Sequence, residues 1–242
     1  MTMDSTRRAV LIAATALPMI ASPGEAAAQI STQPPVPASG PKKTLGMVLF
    51  EGFELLDVFG PLEMFGMIKD RVEIVMLAEK AGPVKSGAGP AALADVAFAD
   101  APKLDIVMIP GGIGTRREVN SASFLNAVAA LAKDAPQVAT ICTGSGVLAK
   151  TGLLDGVRAT SNKIAWKWAT AQGAKVLWTP RARWVEDGKY ISSSGISAGT
   201  DMALGLIAKI YGKDMARWVA HRAEYRWNED AGDDPFAAMN GL

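Results

Sequence analysis

Short, nearly continuous apolar runs alternate along this chain with longer stretches in which apolar residues recur every three or four positions. Four apolar runs predict strands buried on both faces of a sheet: 45–50, 72–77, 106–109 and 138–141. Five stretches with helical spacing predict helices: 55–68, 123–132, 144–150, 164–171 and 198–211. Alternating strands and helices are typical of an α/β fold, in which helices sandwich a mostly parallel sheet.

A β-hairpin is predicted late in the chain. Two short β-rich runs, 184–186 and 189–191, flank the dipeptide Asp187-Gly188, which is favoured in tight two-residue hairpin turns. This hairpin is the one predicted antiparallel feature of the sheet.

The first 43 residues differ in composition from the rest of the chain. Residues 1–28 hold two arginines, an apolar run and the small-residue site Ala26-Ala27-Ala28, the order found in signal peptides. Arg7-Arg8 resembles the twin-arginine export signal, although Val10 stands where that pattern prefers Phe. Residues 29–43 are rich in proline and predict an extended linker. We therefore expect an exported, periplasmic protein with one domain at 44–242.

Charge and composition narrow the function classes. Lys and Arg number 25 against 24 for Asp and Glu, a net charge of +1, so no nucleic-acid partner is predicted. Residues 9–20 are too short to span a bilayer and no later segment is long and apolar enough, so no stable membrane anchor is expected. No close His or Cys spacing indicates a metal site, and no motif indicates a cofactor.

Cys142, the single cysteine, lies where a buried strand turns into a helix. Such an elbow holds its central residue in a tight conformation and aims the side chain out from the carboxyl edge of the sheet. Amide groups at the following helix start lower a thiol pKa, which predicts a thiolate nucleophile. The alternative is an inert buried thiol, because free cysteines are among the most buried residues.

Two further segments predict parts of the same site. Gly111 and Gly112 follow the strand at 106–109 and are predicted to offer backbone N–H groups to developing negative charge, together with Thr143. Asp57 stands in an apolar stretch, where a charge is costly. The alternatives are a plain chain reversal at the glycines and a helix N-cap at Asp57.

Taken together, these segments carry a family resemblance. FEGFELLDVFGP at 50–61, IPGG at 109–112 and ICTGS at 141–145 resemble the ThiJ/PfpI superfamily, in particular its isonitrile hydratase branch, and 193–201 matches the family's late glycine turn. The resemblance implies a flavodoxin-like fold with a nucleophile elbow, usually as a homodimer. It also implies that Cys142 is the nucleophile and Asp57 its acidic partner.

The sequence departs from that branch at the expected substrate pocket. Asn162 lies where isonitrile hydratases commonly carry a histidine, and Thr143 follows the cysteine where protease-like and glyoxalase-like members tend to carry one. Asn162 and Ile113 are the predicted pocket residues. The single histidine, His221, is interpreted as a structural or surface residue. The six tryptophans are interpreted as core or interface residues rather than pocket lining. Met64, Phe65 and Met67, on one helix face, are interpreted as core residues.

The leading functional hypothesis is hydration of a small isonitrile to an N-substituted formamide by Cys142 and Asp57. One alternative is glyoxalase-like or deglycase-like chemistry on small aldehydes. Another is a non-enzymatic redox or ligand sensor based on a reactive thiol. Each hypothesis implies a small-molecule partner or oxidant, and fold alone does not separate them.

Overall fold

The computed structural model describes residues 34–35 and 40–242. The predicted signal peptide and most of the predicted linker lie outside these described residues. Within them, no helix has both the length and the apolar character needed to cross a membrane. The first strand begins at Lys43.

Eleven strands are present in this part of the chain. In order they are β1 (Lys43–Val48), β2 (Val72–Ala78), β3 (Gly82–Lys85), β4 (Ala91–Ala94), β5 (Val96–Ala97), β6 (Ile106–Ile109), β7 (Gln137–Thr140), β8 (Arg158–Ala159), β9 (Leu177–Trp178), β10 (Trp184–Asp187) and β11 (Tyr190–Ser193). Seven of them form the main sheet in the order β10-β11-β7-β6-β1-β2-β5. Only the β10–β11 pair in this sheet is antiparallel.

Eight α-helices accompany the strands in the described residues. They are α1 (Leu55–Gly66), α2 (Thr115–Glu118), α3 (Ala122–Asp134), α4 (Gly144–Lys150), α5 (Trp166–Thr170), α6 (Ala198–Tyr211), α7 (Lys213–Arg222) and α8 (Pro235–Met239). Helix α6 packs against α1 and α7, while α4 packs against α2, α3 and α5. The predicted α/β fold with a mostly parallel sheet between helices is confirmed.

All four predicted strands and all five predicted helices form, with ends displaced by at most two residues. The predicted hairpin is also present, but its turn needs correction. Asp187 pairs with Tyr190, so Gly188 and Lys189 form the turn, one residue later than expected. Gly188 has a φ of +59°, a conformation that glycine adopts without steric penalty.

The core lies on both sides of the central strands. Every residue of β6 is fully buried, as are Leu45, Met47 and Val48 of β1. As predicted for this helix face, Phe65 and Met64 on α1 are buried in the same core, and Met67 is half-buried against it. Strands enclosed on both faces need apolar residues at every position, which explains why the runs read as continuous in the sequence.

Register aligns three loops at one edge of the sheet. Thr140 of β7 pairs with both Ile109 of β6 and Ser192 of β11. Continuing by two residues on each strand brings Gly111, Cys142 and Ser194 side by side, beyond the carboxyl ends of parallel strands. The chain from β1 enters the same region through α1, next to the point where strand order reverses between β1 and β6. Such a switch point is where ligands bind in open α/β sheets.

Candidate active site

Cys142 occupies the predicted elbow between β7 and α4. Its φ is +56°, a left-handed conformation that is strained in a residue with a side chain. Its N–H donates to the Ser194 carbonyl at 3.2 Å. Its carbonyl accepts bonds from the hydroxyls of Ser145 at 3.1 Å and Ser161 at 3.0 Å. The surrounding hydrogen bonds therefore fix both backbone polar groups of the strained residue.

The Cys142 thiol is buried, with 5 % of the residue exposed. Burial raises its pKa well above the ordinary value, and a charged Asp57 raises it further. Hydrogen bonding from the Thr143 N–H and from Asn162 acts in the opposite direction. The sequence predicts a lowered pKa from helix amides alone, and the structure corrects this because burial outweighs the amides. Burial therefore favours the protonated thiol near neutral pH.

Asp57 is completely buried in the first turn of α1. Its Oδ2 accepts a 2.8 Å hydrogen bond from the Gly111 N–H, whereas Oδ1 has no partner of good geometry. Burial raises the pKa of Asp57 to about 8, and the Glu54 charge also raises it, whereas the Gly111 bond and a hydrogen bond with the Cys142 side chain lower it. Asp57 makes no side-chain cap bond, since the N-cap residue of α1 is Glu54. The carboxyl is thus a neutral acid at pH 7, beside the thiol that it influences.

Gly111 and Gly112 hold the site together through their backbone N–H groups. Gly111 donates to Asp57, and Gly112 donates to the Thr143 hydroxyl at 3.1 Å. Both N–H groups are engaged within the protein, so the prediction that they remain available to substrate is corrected. A Cβ at Gly111 would lie 2.6 Å from the Thr143 nitrogen and 2.9 Å from Asp57 Oδ2, so only glycine allows this approach.

Asn162 reaches the thiol from the loop before α5. Its Oδ1 accepts a 2.8 Å hydrogen bond from the Ala165 N–H, which orients the amide so that its Nδ2 is the group left to donate to Cys142. That interaction lowers the thiol pKa. Nδ2 also lies against Gly195, where a Cβ would clash with it directly. Asn162 therefore lies at the site, as predicted, and the absence of a side chain at Gly195 leaves space for its amide.

A cavity of about 250 Å³ lies one residue away from Cys142, which does not itself line it. Asn162 and Ser194, which both contact Cys142, form part of its wall. Ile113, the other predicted pocket residue, does not line this cavity and is 68 % exposed. Ile113 lies between Gly112, whose φ is +119°, and Gly114, whose N–H donates to the Gly52 carbonyl at 3.0 Å.

The structure adds a cation that the sequence pattern does not single out. Arg116 on α2 lies 4.0 Å above the Trp168 ring and bonds to the Thr115 hydroxyl at 3.0 Å. Its charge is coupled to that of Cys142, while partial burial lowers its pKa. Only tertiary contact brings α2 and α5 together here, so no local motif marks Arg116.

The remaining histidine lies elsewhere. His221 is exposed on α7, as expected for a surface residue. Among the described residues, no cluster of three His, Cys, Asp or Glu side chains is arranged to hold a metal ion. Trp184 and Trp218 are buried, and Trp166 packs edge-to-face on Trp178, so packing accounts for these four rings.

Comparison with known proteins agrees with this architecture. The DJ-1/PfpI family pattern matches residues 43–209. Isonitrile hydratase from Pseudomonas putida is 33% identical over 75% of this chain and 78% of its own length. The transcriptional regulator GbdR from Pseudomonas aeruginosa is 26% identical over 76% of this chain but only 51% of its own length.

Solved structures give the same result. A ThiJ/PfpI family protein from Pseudomonas syringae has a TM-score of 0.72 at 27% identity, covering 86% of this chain and 92% of its own. DJ-1beta from Drosophila melanogaster shares the fold, with a TM-score of 0.68 at 21% identity, covering 77% of this chain and 100% of its own. By sequence and by fold, the chain belongs to the DJ-1/PfpI family.

Proposed function

We propose that this protein is a cysteine-dependent hydratase that converts a small isonitrile, R–N≡C, into the N-substituted formamide R–NH–CHO. The observation that carries the proposal is the pair formed by Cys142 and Asp57. Asp57 is buried, its raised pKa of about 8 favours the neutral acid at pH 7, and it interacts with the Cys142 side chain, while its Oδ1 has no hydrogen bond of good geometry. The likeness to isonitrile hydratase from Pseudomonas putida supports the choice of substrate.

The first chemical step follows from the protonation of the pair. Because Oδ2 accepts the Gly111 N–H, the carboxyl proton resides on Oδ1. Asp57 transfers this proton to the isonitrile carbon as the Cys142 sulfur attacks the same atom. The S–C bond forms, the thiol proton moves to the Asp57 carboxylate, and the product is the thioformimidate R–N=CH–S–Cys142.

Hydrolysis completes the cycle. A water molecule adds to the thioformimidate carbon, the nitrogen takes up a proton, and the C–S bond breaks with return of a proton to sulfur. The sum is R–N≡C + H₂O → R–NH–CHO, with enzyme unchanged. Asn162, the Thr143 N–H and Arg116 each favour negative charge on Cys142, so they assist departure of the sulfur.

The alternatives receive less support from the same residues. A redox sensor depends on a thiol that ionises readily, whereas burial raises the pKa of Cys142. Glyoxalase-like members tend to place a histidine after the cysteine, and Thr143 occupies that position here. Regulators such as GbdR match this chain over only 51% of their length.

The test is turnover by Asp57→Asn. The purified protein is incubated with methyl, tert-butyl and benzyl isonitrile, with methylglyoxal in parallel, and the formamide proton is followed by NMR. Because an amide cannot supply the proton, we expect Asp57→Asn to reduce turnover at least about a hundredfold, the low end of general acid catalysis. Exposed Asp100→Asn is the matched control, and Cys142→Ser must abolish turnover.

Two results would overturn the proposal. Full turnover by Asp57→Asn or Cys142→Ser would remove the pair from the mechanism. Conversion of methylglyoxal without any formamide from the three isonitriles would move the protein to aldehyde chemistry.

A further inference from the structure

The cavity beside Cys142 has an apolar mouth. Four large apolar side chains in its wall are exposed at the surface, where such residues are unfavourable unless something covers them: Leu56, Ile164, Ile196 and Phe236. Its inner wall contains Asn162 and Ser194, the two residues that also contact the cysteine. Cys142 itself does not line the cavity, so Asn162 and Ser194 are the residues that connect the cysteine to this apolar space.

One side of the mouth is made by α8, a five-residue helix that carries Phe236. A helix this short is not stable by itself in water. Two interactions of Asp234 hold it in place. Oδ1 of Asp234 caps the helix by accepting the Phe236 N–H at 3.1 Å, and Oδ2 lies 3.5 Å from Lys163 Nζ.

Lys163 is anchored from the other side. Its Nζ donates to the Thr160 hydroxyl at 2.7 Å and to the Ala182 carbonyl at 2.8 Å. The side chains of Lys163 and Asp234 are 1% and 0% exposed. A buried ion pair adds little net stability compared with apolar packing, but it fixes geometry. Here it fixes α8 relative to Lys163, which directly follows the site residue Asn162 in the chain.

We propose that this cavity is the subsite for the apolar N-substituent of the substrate and that Phe236 sets the size it accepts. The substrate class named here, an isonitrile with a compact alkyl or aryl group, rests on the proposed function, whereas the subsite itself does not. Helix α8 lies beyond residue 209, where the family match ends, so this wall is a feature of the chain outside the matched region.

The dimensions favour a small substituent as the occupant. Whole drug-sized ligands fill pockets of about 300 to 1,000 Å³, and about 250 Å³ suits one ring or branched alkyl group. A second copy of the chain would need an interface of about 800 Å² on each partner. A concave and mostly apolar space that shares Asn162 and Ser194 with the surroundings of Cys142 matches ligand binding rather than such a surface.

The test uses alkylation of Cys142, so that it does not depend on hydratase activity. Rates are measured with N-methyl-, N-tert-butyl- and N-benzyl-chloroacetamide and divided by the rates for glutathione. We expect the wild type to favour the N-benzyl reagent over the N-methyl reagent. Phe236→Ala should reduce that preference at least about tenfold, the low end of the effect of apolar pocket contacts.

Met239→Ala is the matched control, because Met239 is an exposed apolar residue of the same helix that does not line the cavity. It should keep the wild-type preference. Ile196→Ala, on a different wall of the cavity, should lose preference as Phe236→Ala does, which guards against a purely local disturbance of α8. Circular dichroism checks that each variant is folded.

An unchanged preference in Phe236→Ala, or equal losses in Phe236→Ala and Met239→Ala, would overturn the subsite. So would a change of mass by light scattering in Phe236→Ala with preference retained, which would assign this face to a second copy. If no isonitrile reacts while the alkylation preference behaves as expected, the subsite stands and the proposed hydratase falls. If isonitriles are turned over but Phe236→Ala does not change the preference between N-benzyl and N-methyl reagents, the proposed hydratase stands and the subsite falls.

Discussion

Cys142 keeps a backbone conformation that its own side chain disfavours, by roughly 1 to 2 kcal/mol. Its neighbours compensate through the three hydrogen bonds to its N–H and carbonyl groups. Glycines beside Cys142 also allow its neighbours to approach closely. Gly111 allows Thr143 and Asp57 to approach, and Gly195 allows Asn162 to do so. The strained conformation, a feature concentrated at functional sites, directs the sulfur towards Asp57 and Asn162.

The protonation of the thiol depends on residues far away in the sequence. The ICTGS motif contains the Thr143 N–H that lowers the pKa, but Asp57 and Asn162 come from other segments. Burial, which acts most strongly, comes from the whole fold. For this reason the motif predicts the position of the cysteine and does not predict the charge of its thiol.

The first prediction concerns the pH dependence of Cys142 alkylation by iodoacetamide. Since burial raises the thiol pKa, the midpoint should lie above about 8.5, the ordinary cysteine value. Asp57 ionises near pH 8 and its charge then opposes thiolate formation, so Asp57→Asn should lower the midpoint. Asn162→Ala removes a hydrogen bond to the thiolate and should raise it.

The opposite directions of these two variants form the control, because a general opening of the site would lower both midpoints. The Asp57 and Cys142 titrations are coupled, so the wild-type curve reports the pair. A wild-type midpoint below about 7.5 would contradict the buried neutral pair and restore the thiolate predicted from helix amides.

At the scale of elements, the sequence around α8 contains a signal for a helix start but no pattern that predicts the helix itself. Asp234 and Pro235 are an N-cap residue followed by proline at the first helical position, a combination typical of helix starts. The segment is too short for apolar periodicity, so pattern analysis does not predict a helix there. Lys163 shows the same difficulty, since its partner Asp234 is 71 residues away in the sequence and only the fold reveals the pair.

The second prediction tests the Lys163–Asp234 pair. Asp234→Asn keeps a good N-cap but leaves the buried ammonium without its counter-charge, so the free energy of unfolding should fall by about 3 kcal/mol. Burial lowers the Lys163 pKa to about 8 and Asp234 raises it, so the variant should titrate lower still. Urea denaturation and NMR of labelled lysine measure the two effects.

The double variant Lys163→Met with Asp234→Asn is the control. It removes both charges from the buried site, so most of the lost stability should return. Losses that simply add in the double variant would show that the two residues do not act as a pair.

At the scale of the molecule, the sequence predicts the strands and the sheet edge at which the site lies. It predicts the contacts within the site less well. Runs such as 106–109 are typical of buried strands, and two motifs that follow such strands are then expected to meet where parallel strands finish. Register places Cys142 between Gly111 and Ser194, which no residue pattern specifies. The side chain of Arg116 and the engaged N–H groups of Gly111 and Gly112 likewise depend on loops that become neighbours only in the folded chain.

The last prediction is that Asp57, the proposed acid, destabilises the folded protein. The pKa of Asp57 is 3.8 in its reference state and about 8 in the fold. Between these values the folded state holds a proton that the unfolded state lacks, so the free energy of unfolding falls as pH rises through this window. Each pH unit lowers stability by about 1.4 kcal/mol, so the loss at pH 7 is on the order of 4 kcal/mol.

Asp57→Asn removes this titration while its amide can still accept the Gly111 N–H. The variant should therefore be more stable than wild type at pH 7, with a difference that shrinks as pH is lowered towards 4. Urea denaturation at pH 4, 5.5 and 7 measures this, with Asp100→Asn expected to follow wild type throughout.

A difference between Asp57→Asn and wild type that stays constant with pH would mean that Asp57 is already charged in the folded protein. The neutral acid on which the proposed hydration depends would then be absent. If the stability difference between Asp57→Asn and wild type increases with pH, and the variant also loses turnover, then the group needed for proton transfer is maintained at the expense of stability. Such a trade-off is common at functional sites.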